Sequence, residues 1–391
     1  MIGRLLPIVY YVCILATIAF NHYYSTFDTL NTDVDHIEAV VLQGFLMGIN
    51  LLYMMKYIVA HIKCRFLLFS AILLFIIMLG VYMIASGKVS TFAKFSFSLS
   101  FVFPFYFFAE KGNLKHWSFK CFVYIGLTLN LVYYALDYLM MISQNDAFGV
   151  YANNLGYTLL LFWPLLLMMD IKKTTIYLIL ALYILTLLSF KRGAIICATA
   201  SIFFILRYVF KEKIFSAKDK RIFRVTLFFC GAAALFCFIE FDVFEKLASR
   251  FDSIEKSSRN DIYSYLYQGW VENDYTLGFG HGLGSVNQYL ERKMGHNYYA
   301  HSDFFQVIFD HGIVGLFFYM LVLLAIYRFY KTFRHSQYGV VTVVVLMIVL
   351  FKFPISGIYI NIDCYGLFVA LGIIAGFYMR DRKGLPNTFY K

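Results

Sequence analysis

Long apolar segments recur along most of this chain, and they limit its fold more than any other feature. Twelve of them approach the ~20 residues that a helix needs to cross a bilayer. They cover residues 5–22, 38–56, 66–86, 93–109, 120–142, 155–170, 174–190, 193–210, 225–243, 304–327, 338–357 and 363–380. Because 61% of the 391 residues are hydrophobic and 15% are charged, a water-soluble fold could not bury so much apolar surface. The sequence predicts an all-α polytopic membrane protein with about 12 transmembrane helices, a single integral membrane domain over residues 1–391.

The net charge of +11 is explained by membrane topology rather than by a nucleic-acid partner. With the N-terminus in the cytoplasm, most of the 34 lysines and arginines fall in cytoplasmic segments, as the positive-inside rule requires. The loop over residues 21–36 has three aspartates and no basic residue, which suits the outer side. Both termini are therefore predicted to be cytoplasmic. We also expect Pro104 and Pro164 to kink the spans that contain them.

One long polar segment, residues 244–303, interrupts this pattern on the predicted outer face. A helix is predicted to begin at Ser258, because a serine cap is followed by Ile262 and Leu266 at helical spacing. We expect this helix to lie on the membrane or over a cavity. Arg259 lies in its first turn, where an arginine either reaches lipid phosphates or belongs to a site.

Glycines and histidines follow in the same segment. Glycines at 278, 280, 282 and 284 permit close backbone approach, so this stretch is either a plain turn or a phosphate-binding loop. Four of the nine histidines lie nearby, at positions 281, 296, 301 and 311. Their spacing matches no zinc motif, and we expect neither a metal nor a cofactor.

Polar residues also mark the outer ends of predicted spans. Asp303, Gln306 and Asp310 share one helix face, which we expect to point to the bundle interior or to a watery cavity. Lys191 and Arg192 form a basic pair in a tight outer turn, against the positive-inside trend. Either the span count is wrong there or the pair is an anion site, for which an arginine fork is well suited.

Together these elements resemble the O-antigen polymerase and ligase family. His301-Ser302 is followed after nine residues by Gly312-Ile313-Val314-Gly315, which is similar to the family pattern at the start of a span. The turn from Ser189 to Ala194, the helix led by Arg259 and the Gly278-x-Gly280 pair occur in the family's order. One departure is that Phe190 and Lys191 stand between the serine and the arginine of the turn. The match covers roughly residues 185–330.

The resemblance implies a GT-C-like membrane glycosyltransferase that uses a sugar linked to undecaprenyl diphosphate and works at the periplasmic face of a bacterial inner membrane. His301 would be the general base, and Asp303 would orient it or be the base itself. The residues assigned to the diphosphate are Arg192, Arg259 and Lys191; the supporting residues are Gly278, Gly280, His281 and His296.

Within this family the sequence favours an O-antigen polymerase, which joins lipid-linked repeat units. The ligase, which moves the finished chain to lipid A-core, has the same motifs and stays an alternative. A flippase or transporter is the alternative from another class; it would have more charged residues near mid-membrane. The expected partners are lipid-linked oligosaccharides as donor and acceptor, membrane lipids, and a chain-length-regulating co-polymerase that only the resemblance implies.

Overall fold

The computed structural model of the protein describes the greater part of the chain, with several gaps. The described residues are 2–27, 37–60, 66–143, 155–169, 171–189, 191–211, 221, 258–295, 298–358 and 362–385. Across these ranges the chain is helical and contains no strand. The predicted all-α class is therefore confirmed for the part of the chain that the structure describes.

In the described ranges, ten helices precede the long polar segment, residues 244–303. They are α1 (Ile2–Phe27), α2 (Ile37–Ala60), α3 (Leu67–Ser86), α4 (Val89–Ser100), α5 (Val102–Glu110), α6 (His116–Ser143), α7 (Leu155–Leu161), α8 (Trp163–Met169), α9 (Lys173–Leu188) and α10 (Arg192–Lys211). The described part of this polar segment contains three short helices, namely α11 (Ser258–Trp270), α12 (Asp274–Phe279) and α13 (Val286–Met294). The C-terminal part contains α14 (Asp303–Phe333), α15 (Gly339–Ile355), a 3-10 turn (Ile362–Cys364) and α16 (Tyr365–Arg382).

Length and composition identify the helices that can cross a membrane. Among the described residues, 7 segments are long and apolar enough, with α4 and α5 counted as one. Three shorter apolar segments correspond to α7 with α8, to α9 and to α15. The predicted span 225–243 lies outside the described residues. The chain is thus a polytopic membrane protein, and the number of twelve spans stays a prediction.

Both prolines that were predicted to kink a span lie directly after a helix break. Phe101 separates α4 from α5, three residues before Pro104, and Phe162 separates α7 from α8, two residues before Pro164. Proline has no N–H to donate, and its ring clashes with the carbonyl four residues earlier, so the helix cannot continue unchanged past it. The predicted distortion is confirmed at both positions.

The centre of the bundle is formed by α16 packed closely on α5. A Cβ atom at Gly372 would lie 2.5 Å from the carbonyl oxygen of Val102, and one at Gly376 would lie 2.4 Å from that of Tyr106. Glycine is required there because only a residue without a side chain lets two helix backbones approach so closely. Nearly every residue of these two helices is buried.

The described part of the polar segment forms a small apolar core together with α14. Its buried members are Ile262, Leu266, Val286, Leu290, Ala300 and Phe309. Tyr263 of α11 stacks on Phe305 of α14 with ring centroids 4.2 Å apart. A helix covers Ser258–Trp270, in the region where one was predicted, but its apolar face packs on protein rather than on lipid. This packing fixes Arg259 beside the first turns of α14.

Candidate functional site

The site is organised by a break in α14 at Gly312. This residue has φ 62° and ψ −158°, so the carbonyl groups of the preceding turn lose their helical donors. The glycine-rich loop supplies replacements, since the N–H groups of His281 and Gly282 each donate at 2.9 Å to the carbonyls of Phe309 and Asp310. The loop and the broken helix therefore satisfy each other's backbone hydrogen bonds.

The glycines of the two sequence motifs interlock at this break. A Cβ atom at Gly280 would lie 2.4 Å from the backbone of Asp310 and His311. A Cβ atom at Gly312 would lie 2.4 Å from the backbone of Gly278. Gly280 and Gly312 are therefore the two halves of one contact, which explains why each of them is a glycine.

The buried carboxylate of Asp310 fixes the end of the loop. Its oxygens accept hydrogen bonds from the N–H groups of Gly284 and Ser285 at 2.9 and 3.0 Å and from the Ser285 hydroxyl at 2.8 Å. Gln306 Nε2 donates to it at 2.7 Å. The polar face predicted on this helix thus lies in the protein interior and binds the loop. Because these amides already have partners, the structure favours the turn interpretation of the glycine-rich stretch over phosphate binding.

Replacing Gly312 with alanine is expected to destabilise the site strongly. The new side chain would clash with the Gly278 backbone and would need a backbone conformation that L-residues rarely adopt. We expect a loss of ~2–4 kcal/mol in the free energy of unfolding. Gly295→Ala is the matched control, since its φ is also positive, at 75°, but its Cβ would meet no atom within 4 Å. Thermal unfolding in detergent measures both variants, and equal melting temperatures would contradict this account.

The histidines of the loop differ in what they contact. His281 Nε2 lies 2.8 Å from the carbonyl oxygen of Gly269, and its ring stacks on Phe309 at 4.4 Å. Its position is thus structural. His296 lies outside the described residues. Among the residues that the structure does describe, no group of three or more His, Cys, Asp and Glu side chains is placed to hold a metal ion.

His301 lies at the junction of the loop and α14. It is half-buried, and its φ of 52° is the only positive value for a residue other than glycine in the described part of the chain. Burial, and after it the positive charges of Arg259 and Lys191, together lower the pKa of its imidazole to about 4. Three of the residues predicted for the site are therefore within electrostatic range of one another. The imidazole is neutral at pH 7 and can accept a proton.

Asp303 holds the start of α14 in place. Its buried carboxylate accepts a hydrogen bond from the Tyr319 hydroxyl, and one from the Ile358 N–H at 2.6 Å. These bonds tie the first turn of α14 to a residue further along the same helix and to the segment after α15. Since His301 precedes Asp303 by two residues, the same bonds also fix the backbone at His301, which carries the imidazole.

The basic turn between α9 and α10 lies beside Tyr157. The Ser189 hydroxyl accepts the N–H of Lys191 at 3.3 Å, and Arg192 begins α10. A Cβ atom at Gly193 would overlap the Tyr157 hydroxyl and lie 2.8 Å from Ile355 at the end of α15. Both basic side chains are half-buried. The turn is thus packed against α7 and α15, close to the segment that Asp303 binds.

One charged residue of this region was not predicted as part of the site. Lys352 is fully buried in α15; its Nζ lies 3.2 Å from Ser356 Oγ and 4.3 Å from the centre of the Tyr157 ring. The sequence did contain a signal, because an ionisable residue within an apolar span is a candidate functional residue by default. Tyr157 has no comparable sequence signal.

A comparison with known families bears on the same residues. Residues 176–320 match the family model described as O-antigen ligase. The matched segment extends from α9 to α14 and includes Lys191, Arg192, Arg259 and His301. No curated protein matches the chain. The family match supports the resemblance found in the motifs: residues 176–320 are similar to the O-antigen polymerase and ligase family.

Proposed function

We propose that the protein is the polymerase of this family. Family members are glycosyltransferase-like enzymes with O-antigen polymerase or ligase function. The polymerase would transfer a growing glycan from undecaprenyl diphosphate to the next carrier-linked repeat unit. It would work at the periplasmic face of the inner membrane, with both termini in the cytoplasm. The observation that carries the proposal is a neutral, half-buried His301 held near the positive charges of Arg259 and Lys191.

The reaction needs a base and a site for a developing negative charge. A hydroxyl oxygen of the acceptor sugar attacks the anomeric carbon of the donor. The bond from that carbon to the phosphate oxygen breaks, and undecaprenyl diphosphate leaves with the electron pair. His301 takes the proton of the hydroxyl, which requires the neutral imidazole described above. Asp303 is then best assigned to positioning His301, because its carboxylate binds Tyr319 and Ile358.

The charge of the leaving diphosphate is assigned to the basic residues around His301. Arg259 is fixed by the packing of α11 on α14, and Lys191 and Arg192 are fixed by the turn beside Tyr157. Cationic side chains placed before the reaction stabilise a developing anion without reorganisation. Gly278, Gly280 and His281 hold the loop on α14 and so support the site without touching the diphosphate.

The ligase is the second candidate, because the matched family model is described as O-antigen ligase. Both reactions expel the same diphosphate, so the site assignments serve either enzyme. A transporter is less favoured by the geometry. The polar residues of α14 bind a fixed loop at one end of the bundle, whereas alternating access needs groups that exchange partners.

Transfer is expected to proceed without a divalent metal, because basic side chains are assigned to the diphosphate charge. The full chain, purified in detergent and supplied with a lipid-linked repeat unit, should lengthen glycans equally well with and without excess chelator. Omission of the protein is the control for chemical transfer. Activity that disappears with chelator and returns with Mg²⁺ or Mn²⁺ would show that a metal supplies the charge instead. A protein that transfers no glycan under either condition would contradict the proposed function itself.

A further inference from the structure

Lys352 is a buried cation whose partners in the structure are weak. It lies in the last turn of α15 and has no exposed surface. Its ammonium group contacts the Ser356 hydroxyl at 3.2 Å and the face of the Tyr157 ring at 4.3 Å. No carboxylate of the described residues forms an ion pair with it. Among the described residues, the direct partners of the ammonium group are therefore one neutral hydroxyl and one aromatic face.

A buried ammonium group with such partners lowers the stability of the folded protein. Taking an ammonium group out of water costs free energy that a hydroxyl and an aromatic ring recover only in part. Replacing a buried charge by an apolar residue of similar volume is often neutral or stabilising. The fold alone therefore gives no reason for a lysine at this position, and an anion that binds next to it would provide one.

The surroundings of Lys352 are the same residues that hold the proposed site together. The hydroxyl of Tyr157 lies against Gly193, directly after the Lys191-Arg192 pair. Ser356 begins the segment in which the Ile358 N–H binds the Asp303 carboxylate. Lys352 thus contacts Tyr157, which packs on the basic turn. It also lies close in sequence to Ile358, whose N–H binds Asp303.

We propose that Lys352 is a binding residue of the donor site and that its ammonium group neutralises the diphosphate of the lipid-linked sugar. This inference rests on the proposed function and adds to it a cation from inside the bundle. Lys191, Arg192 and Arg259 are all half-buried near the loop, whereas Lys352 reaches the site from within α15. An anion held between Lys352 and the three basic residues near the loop would be removed from water and surrounded by positive charge.

The test uses inorganic diphosphate as the probe and the full chain in detergent. A ligand that binds only the folded state raises the melting temperature with its concentration. We expect diphosphate to stabilise the wild-type protein. Lys352→Met should raise the concentration needed for half of that effect by ~10-fold or more, because it removes a charged hydrogen-bond donor. Without diphosphate the variant should melt at the wild-type temperature or above it, which a merely structural lysine would not allow.

Two further variants keep the result interpretable. Lys352→Gln retains a hydrogen-bond donor without the charge, so it should lose the diphosphate response as the methionine variant does, even if methionine impairs folding. Lys293→Met is the matched control: Lys293 also lies over a tyrosine ring, at 5.7 Å from Tyr289, but it is exposed in the polar segment. It should respond as the wild type does.

Each outcome bears on a different claim. If the wild type is stabilised by diphosphate and the Lys352 variants respond equally, the role given to Lys352 is wrong and the site stands without it. If the wild type joins repeat units but shows no response to diphosphate, the diphosphate role of Lys352 is overturned while the proposed function stands. If the wild type joins no repeat units, the proposed function fails first. A weaker response that is confined to the Lys352 variants supports the inference.

Discussion

Replacing His301 with alanine is expected to lower the rate of glycan transfer by 10²–10⁴-fold, the usual effect of removing a general base. The protein should still insert and fold, since the bonds that fix this region belong to Asp303 and Asp310. His301→Gln keeps a polar side chain but no base and should be nearly as inactive. The measurement is the initial rate of chain growth by purified protein. His335→Ala, at an exposed histidine in the turn after α14, is the control.

The pH dependence gives a second readout for His301. The base acts only when it is unprotonated, so activity is lost as the pH falls through its pKa. In the free protein, burial together with Arg259 and Lys191 lowers that pKa to about 4, and kcat/KM should persist to acidic pH. A bound diphosphate neutralises both cations, so the pKa rises and kcat should fall at a higher pH than kcat/KM does. Near-normal transfer by His301→Ala would remove the base role from this residue.

Replacing Arg259 with alanine is expected to reduce transfer by ~10²-fold or more, comparable to the loss of one donor to a developing oxyanion. Arg259→Lys should restore little of this, because a point charge replaces a fork that can bind two phosphate oxygens at once. The kinetic measurement is kcat and KM for the lipid-linked donor. An interaction made mainly in the transition state should appear in kcat.

Arg292→Ala is the matched control for Arg259. Arg292 also lies on a helix of the polar segment, but it is exposed and its Nε donates to the carbonyl oxygen of Gln288 at 3.2 Å. Its removal should leave kcat and KM unchanged. If Arg259→Lys transfers glycan at the wild-type rate, a bidentate contact is not required and the assignment of Arg259 to the diphosphate weakens accordingly.

The local features of the fold were predictable from the sequence. Apolar segments, the helix in residues 258–270 and the effects of Pro104 and Pro164 each depend on a few neighbouring residues, which a sequence pattern contains in full. The motif around His301 and the basic pair at Lys191 were also visible, because each combines unusual residue types at short spacing. In the structure both of the pair lie in the turn beside Tyr157, and the charge of Lys191 acts on His301.

The features that were not predicted all depend on contacts between distant segments. Gly280 faces the backbone of Asp310, and Gly312 faces that of Gly278, so the reason for these glycines appears only when the loop is placed on the broken helix. Asp310 was expected on a polar face, but its loop partners follow from the same placement. The surroundings of Lys352 are defined only once Tyr157 of α7 lies against it. No local sequence pattern determines that contact.

Lipopolysaccharide from a strain that lacks this chain tests the polymerase assignment most directly. Without a polymerase, single repeat units are still attached to the core, so the account predicts core carrying one repeat and no longer chains. Plasmid-borne wild-type protein should restore the long chains, and the His301→Ala variant should not. A bare core, with long polymer retained on undecaprenyl diphosphate, would contradict the assignment and identify the protein as the ligase.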